Sequence, residues 1–168
     1  MDQVGVPSWR EIGFGCLRIV FGVVWSFDAW FKWSPAFINN FAAYVVQAAQ
    51  GQPRMERAWI DFWIYVIKVD PHAFAYVVAT AETLIALSLL IGLLSNLTYF
   101  AGLALSIVIW STAEGFGGPY IRGSTDIGAA VIYALVFIAL FLAQAGKYVG
   151  LDGLIAHRLG RLRALASG

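Results

Sequence analysis

The sequence predicts an all-α integral membrane protein, a four-helix bundle with additional interfacial amphipathic helices. Of its 168 residues, 60% are hydrophobic and 12% are charged, and the mean hydropathy is +0.74. Such values are typical of a polytopic membrane protein and far from those of a soluble domain. Four apolar runs approach the length needed to cross a hydrocarbon core of about 30 Å. We therefore expect a single membrane domain over residues 1–168.

The four predicted transmembrane helices occupy residues 12–33, 72–94, 97–113 and 126–145. The first run is interrupted by Arg18, and no small-residue cleavage site follows it, so we interpret it as a retained span rather than a signal peptide. Ser95 and Asn96 form a tight turn that makes the second and third runs antiparallel. The fourth run ends where Gly146 breaks the apolar pattern.

The long connection, residues 34–71, predicts interfacial amphipathic helices in the first extracytoplasmic loop. Phe37, Phe41 and Tyr44 recur at helical spacing, and Pro53 is suited to the first turn of a second helix. Aromatic side chains of this kind favour the headgroup region of a bilayer. Two roles follow for these helices: they cap the bundle, or they form a lid over a binding site.

Both termini are expected on the cytoplasmic side of the membrane. The tail, residues 147–168, has an amphipathic pattern from near Asp152 and carries four basic residues: Lys147, Arg158, Arg161 and Arg163. Basic residues beside membrane spans concentrate in the cytoplasm. With four spans, the long connection and the loop between the third and fourth runs then share the outer face.

The loop between the third and fourth runs has the sequence GFGGPYIRGSTD at residues 115–126 and is rich in glycine and polar residues. Its four glycines permit backbone conformations and close approaches that a Cβ would forbid. Ser124, Thr125 and Asp126 are N-cap residue types placed directly before an apolar run. A helix N-terminus also attracts anions. The loop is therefore either a well-capped extramembrane turn or an outward-facing anion site.

The candidate anion site combines two cations with the glycine-rich helix start and its neighbours: Arg122, Lys32, Gly117, Gly118, Thr125, Asp126 and Asp28. Arg122 supplies a fixed positive charge, and the backbone N–H groups supply hydrogen-bond donors. Asp28 lies one helical turn before Lys32, so the two are expected to pair. With Glu114 and Asp126 also nearby, the alternative is a structural clasp in which the carboxylates neutralise the cations.

Two ionisable residues, Arg18 and Glu82, lie inside the first and second runs, where an unpaired charge costs several kcal/mol. Counting about 1.5 Å per residue from the membrane surfaces separates them by only about 6 Å in depth. We therefore expect an Arg18–Glu82 ion pair in the bundle interior. Such a pair either holds the helices in register or takes part in chemistry.

The remaining composition limits the possible cofactors and partners. One cysteine, Cys16, and two histidines, His72 and His157, are too few for an iron–sulfur cluster or a structural zinc site. No haem-attachment motif is present, and a net charge of +1 gives no reason to expect nucleic acid. We expect no metal or haem bound by this chain, so any redox cofactor is diffusible or carried by a partner.

Three stretches carry a family resemblance: LRIVFGVVWSFDAWFK at residues 17–32, AETLIALSLLIGL at 81–93 and GFGGPYIRGSTDIGAAVIYALVFIAL at 115–140. In this order they resemble the DoxX/DoxD family of small four-helix membrane proteins. The third is similar to the DoxD branch, the membrane subunit of thiosulfate:quinone oxidoreductase. The likeness covers about residues 10–152. Asp28-Ala29 departs from it, since many members have glycine ahead of the lysine.

The resemblance implies a membrane subunit in a prokaryotic cell membrane that passes electrons from extracytoplasmic thiosulfate to a diffusible quinone, beside a second protein subunit. Thiosulfate would meet the loop cations. Glu82 and Arg18 would be catalytic, and three aromatic residues would surround the quinone: Phe21, Trp25 and Trp110. The alternative is a non-catalytic membrane anchor or stabilising subunit of a larger respiratory or redox complex.

Overall fold

The computed structural model describes residues 8–147, 149–155 and 164–166, which form helices and turns with no β-strand among them. The all-α prediction is thereby confirmed. The helices are α1 (Trp9–Lys32), α2 (Pro35–Ala48), α3 (Arg54–Ile67), α4 (Pro71–Ile91), α5 (Ser95–Ser111), α6 (Ala129–Leu142) and α7 (Asp152–Ile155). A short 3-10 turn, Gly115–Gly117, follows α5. The arginine-rich part of the predicted tail helix, residues 156–163, lies outside the described residues.

Two of the four predicted spans form helices long and apolar enough to cross a membrane, namely α1 with 24 residues and α4 with 21. Helices α5 and α6 are also apolar but contain 17 and 14 residues. At 1.5 Å per residue these two measure about 26 Å and about 21 Å, less than a hydrocarbon core of about 30 Å. The four-span arrangement therefore stays a prediction.

Helix α1 begins three residues before the predicted start because a capping box holds its first turn. Ser8 Oγ accepts a hydrogen bond from the Glu11 N–H at 3.4 Å, and the Glu11 carboxylate accepts one from the Ser8 N–H at 2.6 Å. The sequence Ser-Trp-Arg-Glu has the spacing that such a box requires. The start of α1 was therefore readable from the sequence.

Small residues allow the helices to pack closely in antiparallel pairs. On α1, a Cβ added to Gly22 would lie 3.0 Å from the Leu89 Cβ of α4. On α5, Gly102 receives the Phe137 ring of α6, whose Cζ lies 2.1 Å from where a Cβ would be. Close approach at glycine is the usual way in which membrane helices associate.

The turn between α4 and α5 is held by a residue far away in the sequence. Gly92 and Leu94 adopt left-handed conformations there. The carboxylate of Asp152, which is buried, accepts hydrogen bonds from the N–H groups of Leu94 at 2.7 Å and Ser95 at 2.8 Å. A tight turn joins the two helices, but it lies at residues 92–94 rather than at Ser95 and Asn96, which begin α5. The first N–H groups of α5 are satisfied by Asp152 at the start of α7.

The long connection forms two helices, as predicted. Helices α2 and α3 pack on one another around Val45, Ile60 and Ile67, and Phe74 at the start of α4 packs against the same cluster. Their positions leave a space between the α2–α3 pair and the helices α1, α4 and α5. The candidate site lies in that space.

Candidate functional site

A cavity of about 440 Å³ opens between α1, α2, α3, α4 and α5. Most of its lining is aromatic or aliphatic: Phe31, Phe37, Phe41, Tyr44, Val45, Trp63, Ile67, Phe74, Val78, Leu105, Val108, Ile109 and Ala113. Its polar lining is confined to Asp28, Lys32, Ser34, Glu82 and Thr112. A concave apolar site with a few convergent polar groups is the usual form of a small-molecule site.

The polar wall of this cavity is a three-residue charge cluster. Lys32 Nζ lies 3.0 Å from Glu82 Oε2 and 3.2 Å from Asp28 Oδ1. The same ammonium group lies 5.6 Å from the centre of the Phe37 ring, close enough for a cation–π contact. The predicted Asp28–Lys32 pair is confirmed. Glu82 joins it from α4 and is only 1% exposed.

Two buried polar atoms of the lining have no hydrogen-bond partner among the described residues. They are Glu82 Oε1, the carboxylate oxygen that Lys32 does not contact, and the indole Nε1 of Trp63. Buried polar atoms are nearly always paired, since leaving one unpaired costs about 1–3 kcal/mol. The residues that line the cavity therefore include one buried acceptor and one buried donor that no described residue engages.

Arg18 lies elsewhere, so the predicted Arg18–Glu82 pair is wrong. The Arg18 side chain is buried, and its Nη1 donates to the carbonyl oxygen of Leu89 at 2.7 Å while Nη2 donates to that of Val149. The Leu89 carbonyl belongs to the last turn of α4, where backbone acceptors lack helical partners. Arg18 therefore joins α1 to the end of α4 and to the segment that precedes α7.

The direction of the side chains explains the correction. In an α-helix each Cα–Cβ bond tilts toward the helix N-terminus, and long side chains follow it. The Arg18 side chain therefore points away from the middle of α1, whereas that of Lys32 points back toward it. Glu82 tilts toward the start of α4, beside the end of α1, where Trp33 also donates to Thr83. A depth estimate from residue counts contains neither tilt.

The predicted cap of the fourth run also differs in the structure. The helix begins at Ala129 rather than after Asp126, and Glu114 caps it: the Glu114 carboxylate accepts a hydrogen bond from the Ala130 N–H at 3.0 Å. Asp126 Oδ1 accepts from the Gly128 N–H just before the helix, and Thr125 is exposed. Partial burial raises the pKa of Glu114 above its usual value, against the opposing effect of the helix N–H groups.

The structure does not assemble the candidate anion site. The N–H groups of Gly117 and Gly118 donate to the carbonyl oxygens of Glu114 and Gly115, at 2.8 Å and 3.0 Å. Lys32 is engaged by two carboxylates, and Arg122 is exposed and forms no ion pair with a described residue. The clasp alternative is not formed either, since Lys32 pairs with α1 and α4 rather than with the loop.

One glycine of the loop is required by its surroundings, as the sequence predicts. Gly117 has a φ of +75°, and a Cβ there would lie 2.1 Å from the carbonyl oxygen of Ile127. The backbone of the loop thus approaches the start of α6 more closely than a side chain would allow. Of the two interpretations of the loop, the geometry favours a capped turn over an anion site.

The aromatic residues predicted to surround a quinone lie outside the cavity. Phe21 and Trp25 form edge-to-face contacts with Phe137 in the bundle core, with ring centres 5.0 Å apart in each case. The Trp110 indole donates to the Ile127 carbonyl at 2.8 Å, which holds the loop against α5. All three make structural contacts instead.

Sequence reasoning did not predict as site residues the aromatic residues that do line the cavity: Phe37, Phe41, Tyr44, Trp63, Phe74 and Phe31. The helical spacing of the first three was visible, and it left open whether α2 and α3 cap the bundle or cover a site. Because both helices contribute to the lining, the structure favours the lid interpretation.

Comparison with protein-family models, with curated proteins and with solved structures finds no match for the chain. The resemblance to the DoxX/DoxD family therefore rests on the three sequence stretches that carry it. The chemistry of the cavity has to be argued from its own residues.

Proposed function

We propose that the chain is a multi-pass membrane protein whose cavity binds a quinone, and that it acts as the membrane subunit of a quinone-linked oxidoreductase. The observation that carries the proposal is the combination, in one cavity of about 440 Å³, of an aromatic lining with the ion pair between Lys32 and the buried Glu82. A quinone head group has matching properties: a flat apolar ring that packs against aromatic side chains, and carbonyl oxygens that need polar partners.

A membrane location is supported by the outer surface of the helices. Large apolar side chains are more than half exposed on each of the four apolar helices α1, α4, α5 and α6: Val20, Phe27, Val77, Leu84, Phe100 and Leu135. Soluble monomers rarely expose so much contiguous apolar surface. The short lengths of α5 and α6 are compatible with spanning, because a bilayer thins locally around a short helix. Both termini then lie in the cytoplasm, as the basic tail predicts.

Cysteine labelling tests this topology. Cys16, which is exposed, is first replaced by serine, and single cysteines are then introduced at Gln50 in the α2–α3 turn and at Ala164, both exposed. In intact cells a membrane-impermeant maleimide should label position 50 from outside and position 164 only after permeabilisation. Equal labelling of both positions from one side would contradict the proposed topology.

Reduction of a quinone to a quinol consumes two electrons and two protons. Glu82 lines the cavity and is the group placed to carry protons, since its Oε1 has no hydrogen-bond partner among the described residues. Lys32 holds the other carboxylate oxygen and keeps the side chain oriented. Asp28, at the same ammonium group and more exposed, is placed to exchange a proton with the outside.

The resemblance suggests the source of the electrons. Two thiosulfate ions joined as tetrathionate release two electrons, which balance the reduction of one quinone. Because Lys32 is engaged by carboxylates and the loop N–H groups are used within the turn, we assign the oxidation of the sulfur anion to a second subunit. This chain then supplies the quinone half of the reaction.

Quinone binding to the purified protein in lipid nanodiscs tests the proposal, with a variant that fills the cavity. Val78 lines the cavity, whereas its neighbour Val77 faces outward and is 64% exposed. We expect a short-chain ubiquinone analogue to bind the wild type and the Val77→Trp variant with similar affinity. The Val78→Trp variant should bind the analogue at least tenfold more weakly. Absence of binding to the wild type, or full binding to Val78→Trp, would refute the proposal and leave the anchoring role.

A further inference from the structure

We propose that the Trp63 indole is the second polar contact of the ligand, so that the cavity selects a ring bearing oxygen atoms at two separate positions. This inference rests on the proposed function and goes further, because it names the residue that gives the cavity its selectivity. It is carried by two residues on different walls of one cavity, each with a buried polar atom that has no hydrogen-bond partner among the described residues: Trp63 Nε1 on α3 and Glu82 Oε1 on α4.

The state of the Trp63 indole differs from that of other tryptophans in the structure. Trp33 donates to Thr83 at 3.0 Å, Trp59 donates to Ser111 at 3.1 Å, and Trp110 also has an acceptor. Trp25 shares the lack of a partner, but it lies in the bundle core and not in the cavity lining. Trp63 therefore lines the cavity and also has a buried donor with no acceptor in the described part of the chain.

The position of the Trp63 ring is fixed by its neighbours. Its ring centre lies 5.9 Å from that of Trp59 and 5.7 Å from that of Phe62, both in edge-to-face geometry. The ring also packs against the buried cluster that joins α2 to α3. Because the indole is held in place before any ligand arrives, little conformational entropy is lost when its N–H forms a hydrogen bond.

The two unpaired atoms make different demands on a ligand. Trp63 needs a hydrogen-bond acceptor. At the other wall, Glu82 Oε1 needs a donor, or Lys32 shares its ammonium protons with a second acceptor. A hydrocarbon chain satisfies neither wall. A fatty acid would place its carboxylate against Glu82 and Asp28, where like charges repel. A ring with two oxygens can meet both walls: one oxygen accepts from Trp63, and the other accepts from the Lys32 ammonium group if it is a carbonyl or donates to Glu82 if it is a hydroxyl.

The test compares two probes that share their fused rings and methyl group but differ in oxygen: 2-methyl-1,4-naphthoquinone and 2-methylnaphthalene. Trp63→Phe keeps an aromatic ring in the wall and removes the N–H. Trp59→Phe is the matched control, because it removes an indole N–H that is already bonded within the protein. Affinities are measured by equilibrium dialysis of the full chain in nanodiscs.

We expect Trp63→Phe to weaken binding of the naphthoquinone about 5- to 10-fold, the loss expected for one buried hydrogen bond. The same change should leave methylnaphthalene binding within about twofold, as should Trp59→Phe for both probes. If Trp63→Phe weakens the binding of both probes equally, or of neither, Trp63 does not hydrogen-bond the ligand. That result would overturn the inference about Trp63 but not the proposed binding of a quinone. If the wild type does not prefer the naphthoquinone, the proposed function fails as well.

Infrared spectra of the wild-type complex give a readout that does not depend on the variant folding. With each carbonyl carbon of the naphthoquinone isotopically labelled in turn, both C=O stretches should shift to lower frequency on binding. A shift of only one carbonyl would overturn the two-point contact.

Discussion

Replacing Lys32 by methionine should leave the buried Glu82 carboxylate without its ion-pair partner. The lysine side chain is 18% exposed and the glutamate side chain 1%, and their charged atoms are 3.0 Å apart. Two unit charges about 4 Å apart interact by about 4 kcal/mol at an effective dielectric constant of about 20. Loss of one partner of a buried pair costs about 3–5 kcal/mol, because the other charge stays buried. With Lys32 partly exposed, we expect the lower end, about 3 kcal/mol.

Glu82→Gln is predicted to cost much less than Lys32→Met. The amide keeps the shape of the side chain without a buried charge, and Lys32 retains Asp28 at 3.2 Å. We expect a loss of about 1 kcal/mol, the typical net value of one hydrogen bond. The double variant should then be about 2 kcal/mol more stable than Lys32→Met, because the stranded charge is gone.

The assay is reversible unfolding in mixed micelles, followed by circular dichroism as the fraction of denaturing detergent rises. Lys68→Met is the control, because Lys68 is exposed at the end of α3 and should shift the unfolding free energy by less than about 0.5 kcal/mol. If the double variant is as unstable as Lys32→Met, or if Lys32→Met resembles the wild type, the carboxylate does not depend on the lysine and the reasoning fails.

Three further predictions concern residues outside the cavity. Arg18→Met should lower the unfolding free energy by about 3 kcal/mol, because two carbonyl groups lose their hydrogen-bond donor. Its quinone affinity should stay within twofold of the wild type. A stable variant that cannot bind quinone would show that Arg18 belongs to the site. Gly117→Ala should cost at least about 2 kcal/mol more than Gly123→Ala, since both have positive φ but only Gly117 lacks room for a Cβ; equal melting temperatures would contradict the described loop. Arg122→Gln should change unfolding by less than about 0.5 kcal/mol, and a larger loss would indicate a clasp.

The helices were predictable because their signals are local. Apolar runs, the Pro53 and Pro71 starts and the Ser-x-x-Glu spacing at residue 8 depend on neighbours within one or two turns. The cap of α6 was not predictable in this way. The capping carboxylate belongs to Glu114, which lies 16 residues before Ala130, the residue whose N–H donates to it. A loop must fold back before the two meet.

The site was predictable in its charges but not in its pairing. Lys32, Glu82 and Asp28 stood out because ionisable residues are rare in apolar runs. Which of them meet depends on the rotation of each helix about its axis and on the tilt of its side chains, and composition records neither. The aromatic lining depends on α2 and α3 folding over the bundle. Spacing reveals one face of each helix but not what that face covers.

The contact between Asp152 and the α4–α5 turn has a consequence for biogenesis. The first N–H groups of α5 are satisfied by a carboxylate that lies 57 and 58 residues later in the chain. The ribosome has therefore completed α5, the loop and α6 before that turn can close. Until then the α4–α5 hairpin has to form without the carboxylate that accepts from its donors. A chain terminated before Asp152 would keep every apolar helix and still lack the residue that finishes the hairpin.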